Sequence, residues 1–289
     1  MGSGIRARLG LNVPYEWWPA APLLKSFEAA GFAWAQIPSP PASVLSNPHD
    51  CLAHARSARQ LLGSTAMRAV VHGPSGIGAG ERHGDLALEG LLAYAAELGA
   101  EQVVYHARDF PDGRRAEDRA LAETRSLARL AARAEALGVL IAVENLAPVY
   151  PGPERLGHSP AVLRTLCKRI ASASVGICLD LGHAHVVASG RGTALADLIA
   201  PALEFTTLFH VHDNLGSRRL GPRPAELDPL RLDLHLPPGR GSLPWGEVAA
   251  PLEAHPAPVV LEIHPPHRPA PEELLRSAEI ALAGAAATA

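Results

Sequence analysis

Short apolar segments alternate with longer amphipathic segments along nearly the whole chain, and this alternation restricts the possible folds more than any other feature. The longer segments have the period of helices, and several end at a glycine. Helices are predicted at about 21–30, 50–62, 84–99, 115–137, 160–173, 193–203, 245–254 and 271–284. The strands predicted between them are IRARLGLNV, FAWAQIP, MRAVVHGP, EQVVYHAR, VLIAVENL, VGICLDLGH, TTLFHVHDN and PVVLEIHP.

Strands that alternate with helices in this way favour a parallel sheet with right-handed crossovers. Eight such units in 289 residues predict a (β/α)₈ TIM barrel that forms a single domain over residues 1–289. The alternative is an open, doubly wound sheet, which normally carries a glycine-rich phosphate turn after its first strand. The corresponding stretch here, LGLNVPYEWW, is not such a turn. The segment at about 215–245 is long for a βα connection and lies near the active-site rim, so we expect either a functional loop or a disordered one.

The composition narrows the class of protein further. Hydrophobic residues make up 47% of the chain and charged residues 19%, which is enough apolar surface for a large core. The net charge of −3 argues against nucleic acid as a partner. The three cysteines are irregularly spaced, which is typical of a reducing compartment. With no predicted signal peptide or membrane span, we expect a cytoplasmic protein with no membrane association; a homo-oligomer is compatible with the sequence.

Histidines and carboxylates lie at the ends of six consecutive predicted strands. Because the carboxyl ends of barrel strands converge on one rim, these side chains are expected to face one another. Buried like charges need a cation, so the pattern predicts a divalent metal site, although hydrogen bonds that cap loops are the alternative for any single residue. The six residues are His72, His106, Glu144, Asp180, His210 and Glu262.

Three further polar residues are candidates for the same rim. His183 follows Asp180 at a glycine turn and would either bind metal, bind substrate or have a structural role. Asp233 and His235 are two residues apart, so in an extended chain both point the same way, towards the rim or towards each other to close the loop. We expect three other histidines to face the helices or to lie behind the ligands, namely His185, His212 and His264.

As an ordered set, these motifs resemble the xylose isomerase-like TIM-barrel superfamily, from about residue 68 to the last helix. This superfamily includes sugar phosphate isomerases and epimerases as well as endonuclease IV. The motifs are VHGP, VVYHAR, AVENL, VGICLDLGHAH, LFHVHDN, LDLHLPPGRGSLPW and VVLEIHP. For the isomerase branch, the resemblance implies one metal held by Glu144, Asp180, His210 and Glu262, with the two glutamates as acid and base.

For the endonuclease IV branch, the resemblance implies three zinc ions held by nine residues. All nine have counterparts here: His72, His106, Glu144, Asp180, His183, His210, Asp233, His235 and Glu262. The sequence departs from that branch after its first histidine, where HGPSGIG has neither Asp nor Tyr, and after its glutamate, where ENLAPVYPGPE is rich in proline.

The leading hypothesis is therefore a metal-dependent isomerase or epimerase of a small sugar, sugar phosphate or related polyhydroxy ketone. Glu144 and Glu262 would pass a proton through an enediolate, and one tightly held metal is expected, with a weaker second site. Both ligand types suit Mn²⁺ or Zn²⁺, and Co²⁺ and Fe²⁺ are compatible. The alternatives are an endonuclease IV-like trinuclear zinc phosphodiesterase, a dehydratase on the same scaffold, and a barrel that only binds a ligand. His183 is a further catalytic candidate, which would polarise or position substrate oxygens. The candidate substrate-binding residues are His72, His106, Arg240, Tyr15 and Trp17, although the last two could instead form a hydrophobic plug of the barrel.

Overall fold

Eight parallel strands pair in chain order, and the first pairs with the last to close a barrel. The computed structural model describes residues 3–107, 114–149, 155–217, 227 and 231–286. It confirms the predicted (β/α)₈ fold, and the open sheet is excluded because no strand edge is left at β1 or β8. The strands are β1 (Leu9–Asn12), β2 (Trp34–Pro38), β3 (Arg68–His72), β4 (Gln102–His106), β5 (Leu140–Glu144), β6 (Val175–Asp180), β7 (Thr206–Val211) and β8 (Val259–Leu261).

Helices surround the barrel, and none of the described ones is both long and apolar enough to cross a membrane. Left-handed glycines end α2 and α5, where Gly31 has a φ of 102° and Gly99 a φ of 88°. The α-helices are α1 (Ser3–Arg6), α2 (Ala21–Ala30), α3 (Ala42–Leu45), α4 (Pro48–Leu62), α5 (Arg82–Leu98), α6 (Arg114–Leu137), α7 (Pro160–Ile170), α8 (Leu181–Arg191), α9 (Leu195–Ile199), α10 (Trp245–Ala254) and α11 (Pro271–Ala286). Short 3₁₀ helices span Tyr15–Trp17, Leu156–His158, Ala200–Phe205 and Pro265–His267.

The chain after β6 differs from the prediction. The strand ends at Asp180, and α8 begins at once, so His183 lies in the first turn of a helix rather than at a glycine turn. The reason is a helix cap: the Asp180 carboxylate accepts a hydrogen bond from the His183 backbone N–H at 2.7 Å. Gly182 permits this path, because a Cβ there would lie 2.2 Å from Cε1 of His212.

One further helix prediction was too long. The segment 193–203 was expected to be a single helix, but the structure divides it into α9 and the 3₁₀ helix Ala200–Phe205. Pro201 explains the division, because proline has no backbone N–H to continue the α-helical hydrogen bonds.

The inside of the barrel is filled in layers. An apolar layer is formed by Trp34, Val70, Val104, Ala142, Cys178, Leu208 and Val260. Gly10 completes it without a side chain, because a Cβ there would lie 2.7 Å from the Cβ of Trp34. The position two residues later in each strand points the same way and lies nearer the carboxyl end. Those positions hold Asn12, Gln36, His72, His106, Glu144, Asp180, His210 and Glu262.

The long segment after β7 folds back over this polar layer. Buried Asp213 anchors it by accepting hydrogen bonds from the backbone N–H groups of Leu243 at 3.0 Å and Gly239 at 2.9 Å. Asp213 and Leu236 form an antiparallel bridge. Gly241 allows the close approach, because a Cβ there would lie 2.2 Å from the carbonyl oxygen of Asn214. Of the expected loop, residues 218–226 and 228–230 lie outside the described residues.

Candidate metal centre

Four of the predicted ligands meet in the polar layer, and we call Glu144, Asp180, His210 and Glu262 the strand-borne set. Each offers one ligand atom, and these atoms all lie within 4.8 Å of one another. Three of the residues have 0% exposure, and Glu262 has 7%. Three carboxylates this close and this buried repel one another unless a positive charge lies between them. Asp180 Oδ2 is buried and accepts no hydrogen bond from the described residues, so the set fits a divalent cation.

The electrostatics of the strand-borne set keep its carboxylates ionised. Burial alone would raise the pKa of Glu144, but His210 and His106 lower this pKa well below its usual value. Burial would likewise raise the pKa of Asp180, and the neighbouring His183 and His212 hold it below its ordinary value. Ionised carboxylates are the form that a metal ion binds.

The ring nitrogens of four histidines are already oriented for ligation. In each ring, Nδ1 faces a backbone carbonyl, which can only accept, so Nδ1 carries the hydrogen and Nε2 of the neutral ring is left as an acceptor. The pairs are His72 with Gly73 at 2.9 Å, His183 with Asn145 at 2.8 Å, His212 with Asp213 at 3.4 Å and His235 with Glu262 at 3.0 Å.

His72 and His106 form a second group with Glu144. The two Nε2 atoms lie 3.1 Å apart. His106 Nε2 lies 3.1 Å from Glu144 Oε2, and His72 Nε2 lies 3.6 Å from the same oxygen. Glu144 therefore belongs to both groups, and it is positioned to contribute a ligand atom to each.

A third group combines the start of α8, the end of β7 and the returning loop, and we call His183, His212, Asp233 and His235 the loop-borne set. Asp233 Oδ2 lies 2.9 Å from His235 Nε2 and 3.3 Å from His183 Nε2. His212 Nε2 lies 3.3 Å from Asp180 Oδ1, which joins this set to the strand-borne one. His235 has a φ of 49°, a left-handed conformation that is rare outside glycine and is often found at functional sites.

Two of the three histidines expected to face the helices or to lie behind the ligands, His212 and His264, are found at the centre or its cavity. His212 belongs to the loop-borne set, and His264 lines the cavity above the centre. Each lies two residues after a predicted ligand, His210 or Glu262, and in extended chain that spacing puts both side chains on the same side. His185 does lie behind the centre, where its Nε2 is 3.0 Å from Ser242 Oγ.

A cavity of about 610 Å³ opens above the three groups. Tyr15 lines it. Trp17 is not among the lining residues; it is 41% exposed and has the guanidinium of Arg268 5.5 Å from its ring centre. Arg240 lies exposed at the loop turn and is not among the lining residues, whereas Arg231 is.

The structure is thus a closed (β/α)₈ barrel with histidines and carboxylates gathered at the carboxyl ends of its strands. The sequence profile of the family described as xylose isomerase-like TIM barrel matches residues 24–280. The chain belongs to this family, which confirms the resemblance found in the motifs. No curated protein matches the sequence.

Solved structures with the same fold include sugar epimerases. A D-tagatose 3-epimerase-like protein has a TM-score of 0.72 and 21% identity, covering 97% of each chain. The 3-keto-D-glucoside 4-epimerase of E. coli has a TM-score of 0.66 and 15% identity, covering 95% of this chain and 98% of that one. A Thermus thermophilus protein soaked with zinc chloride has a TM-score of 0.65 and 24% identity, covering 96% of this chain and 98% of that one. At these identities the likeness shows the fold.

Proposed function

We propose that the protein is a divalent-metal-dependent isomerase or epimerase of a small sugar, sugar phosphate or related polyhydroxy ketone. The observation that carries the proposal is the placement of Glu144 and Glu262. They come from β5 and from the residue after β8, and both line one cavity while contributing to one candidate metal set. A pair of carboxylates beside an electrophilic centre can act as the general base and general acid of a proton transfer at carbon.

The strand-borne set would hold the catalytic metal. When bound, a divalent cation polarises a carbonyl group and so makes the neighbouring carbon-bound hydrogen more acidic. The set offers three carboxylates and one imidazole, which suits Mn²⁺ and also Zn²⁺, while Co²⁺ and Fe²⁺ remain compatible.

Glu144 and Glu262 are proposed to remove and return the proton. Glu144 Oε1 lies 2.8 Å from His210 Nδ1, and Glu262 Oε2 lies 3.5 Å from the same nitrogen. The two carboxylates therefore approach one point from different strands. A substrate held above that point would have both carboxylates within one cavity, and an epimerisation or an isomerisation through an enediolate can use such a pair.

Polar side chains around the mouth of the cavity would bind hydroxyl groups. His72 and His106 line one wall, and His183 lines another. Their ring nitrogens can donate to or accept from a sugar hydroxyl when they are not occupied by a second metal. Arg231 is a cationic group on the wall and would be the one to meet a phosphate on the substrate.

The test is a panel of ketoses, ketose phosphates and keto-glycosides incubated with the Mn²⁺-loaded protein in heavy water. We expect solvent deuterium on the substrate carbon, and a loss of turnover of about 10²-fold or more in Glu144→Gln and in Glu262→Gln. The matched control is Glu123→Gln, a buried glutamate outside the centre that accepts a hydrogen bond from the Tyr105 hydroxyl at 2.6 Å.

Three outcomes would contradict the enediolate proposal. Complete retention of the original hydrogen would instead favour a hydride shift. A product that has lost a hydroxyl group would favour the dehydratase. Bound metal without turnover of any compound in the panel would favour a barrel that only binds its ligand.

A trinuclear phosphodiesterase of the endonuclease IV type is the second candidate, because one observation favours it. All nine residues that the resemblance assigned to three zinc ions lie within the three candidate metal groups. A phosphodiesterase of this type requires metal ions that activate the attacking water and stabilise the attacking and leaving oxygens of the displacement at phosphorus. Cleavage of a duplex containing an abasic site, together with micromolar or tighter binding of that duplex at physiological salt, would place this function first. The net charge of −3 predicts neither result.

A further inference from the structure

Gln36 is an uncharged residue that contacts the candidate metal centre. It lies in β2, two residues after the barrel-filling Trp34, and it is 2% exposed. Its amide contacts two members of the strand-borne set: Oε1 lies 2.6 Å from His210 Nε2, and Nε2 donates a hydrogen bond to Glu262 Oε1. Gln36 therefore lies behind two proposed ligands.

The orientation of this amide follows from its two contacts. Its Nε2 donates to Glu262 Oε1, and its Oε1 lies 2.6 Å from His210 Nε2. The NH₂ end of Gln36 must therefore face Glu262, which leaves its carbonyl oxygen facing His210. A carbonyl oxygen also only accepts, so Nε2 of His210 must carry a hydrogen. In the neutral ring the lone pair is then on Nδ1.

The result is a histidine with the opposite orientation to its neighbours. His72, His183, His212 and His235 each direct Nδ1 at a backbone carbonyl and leave Nε2 for the centre. His210 uses Nε2 for Gln36 and directs Nδ1 at Glu144 Oε1, 2.8 Å away. A lone pair and a carboxylate oxygen at this distance repel unless a proton or a cation lies between them.

We propose that Gln36 is a positioning residue of the metal centre, which selects Nδ1 of His210 as the ligand atom and occupies Oε1 of Glu262 so that Oε2 faces the cation. This inference rests on the proposed metal site, although it does not depend on which reaction the site performs. Without the amide, the His210 ring loses the partner that determines its tautomer, and the Glu262 carboxylate is free to rotate.

Gln36→Met tests the inference, because methionine has nearly the same length and volume but makes neither hydrogen bond. The protein contains a matched control in Gln102, a 4% exposed barrel glutamine whose amide donates to the Thr207 carbonyl at 2.9 Å, near the opposite end of the strands. Titration of metal-free protein with MnCl₂ by calorimetry should show a dissociation constant about 10-fold to 100-fold higher in Gln36→Met. Gln102→Met should differ from the unmodified protein by less than about threefold.

Nuclear magnetic resonance of the unmodified, zinc-loaded protein provides a measurement that does not depend on a variant folding. The imidazole ring of His210 should carry its hydrogen on Nε2, and that hydrogen should exchange slowly with water because Gln36 holds it. In Gln36→Met, the same hydrogen should exchange at least about 10-fold faster.

The outcomes separate this inference from the metal proposal. A hydrogen on Nδ1 of His210 in the zinc-loaded protein, or equal Mn²⁺ affinity in Gln36→Met and Gln102→Met, would overturn the role of Gln36. An unmodified protein that binds neither Mn²⁺ nor Zn²⁺ would overturn the metal site itself. In that case the His210 exchange rates of the metal-free proteins still show whether the Gln36 contact exists.

Discussion

The strand-borne and loop-borne sets lie side by side, yet they are built from different chemistry on different supports. The strand-borne set has three carboxylates and one imidazole, whereas the loop-borne set has three imidazoles and one carboxylate. The first is almost completely buried on or directly after barrel strands, whereas the Asp233 side chain of the second is 29% exposed on the returning loop. If both sets bind metal ions, this difference gives the two sites distinct preferences.

The two sets should differ in both affinity and selectivity. Three buried carboxylates carry more negative charge than one, so the strand-borne set has the larger electrostatic need for a divalent cation. Oxygen ligands suit Mn²⁺, whereas imidazole nitrogens favour Zn²⁺. We therefore assign the tighter and less selective site to the strands, and a weaker, zinc-preferring site to the loop.

The largest expected effect comes from removing one charge in each set by the same substitution. Asp180→Asn should weaken Mn²⁺ binding about 100-fold or more, because a buried ligand loses its charge while the amide oxygen can still cap α8. Asp233→Asn should weaken Mn²⁺ binding by about threefold or less, because Asp233 belongs to the loop-borne set. Calorimetric titration with MnCl₂ measures both, and equal losses would show that the sets do not act as separate sites.

Selectivity provides the next comparison. Zn²⁺ should bind with a stoichiometry that is one higher than that of Mn²⁺, since it also enters the loop-borne set. His212→Gln combined with His235→Gln should remove this additional Zn²⁺ and leave Mn²⁺ binding within about twofold. If the double variant loses Mn²⁺ to the same extent as Zn²⁺, the assignment of a zinc preference to the loop is wrong.

The metal-free protein should lose stability as the pH rises. Burial lowers the pKa of His72 and His235, but the neighbouring carboxylates outweigh it and raise each pKa to about 9, from an ordinary value of 6.5. A raised pKa in the folded state stabilises the protein fully below pH 6.5, and this contribution is lost as the pH rises through about 9. Thermal unfolding in a chelator should therefore show a melting temperature that falls over this range.

Matched variants separate this effect from other groups that titrate above pH 8. The fall in melting temperature with rising pH should be smaller in His72→Gln and in His235→Gln. The control variant His54→Gln, at an exposed position, should behave like the unmodified protein. Saturating metal should also reduce the fall, because a cation then supplies the positive charge. A melting temperature that is constant or rises between pH 6.5 and 9 would contradict the protonation scheme.

The smallest expected effect concerns two arginines of the returning loop. Arg231 lines the cavity, and Arg240 is exposed away from it. Once a substrate has been found, Arg231→Ala should raise its KM several-fold, most of all for a phosphorylated substrate, whereas Arg240→Ala should change neither KM nor kcat by more than about twofold. The reverse result would restore the role that the sequence suggested for Arg240.

The sequence predicted the strand-borne set because a barrel has a simple periodicity. One βα unit separates successive candidate ligands, and alternate residues of a strand face the barrel interior. Glu144 and Asp180 could therefore be found from spacing alone. The same alternation of inward-facing and outward-facing residues identifies Gln36 and Asn12. They were not predicted because they are uncharged and do not stand out among histidines and carboxylates. The alternation also identifies His212, which lies two residues after His210.

The rest could not be predicted from spacing. The positions of Asp233 and His235 depend on a loop whose path is determined by Asp213, a buried carboxylate that holds backbone N–H groups of residues 239 and 243. Such long-range anchoring has no local sequence signal. For the same reason, the sequence did not show that Arg231, which precedes the turn at Gly239, lines the cavity while Arg240, which follows it, does not.

The number of tightly bound metals tests the comparison between the two sets most directly. Elemental analysis of the unmodified protein, after exhaustive dialysis without chelator, should find one metal ion per chain. That ion should remain in the double variant His72→Ala, His106→Ala, because the strand-borne set is intact. Three tightly bound zinc ions per chain, falling to two or fewer in the double variant, would contradict the account and favour the phosphodiesterase.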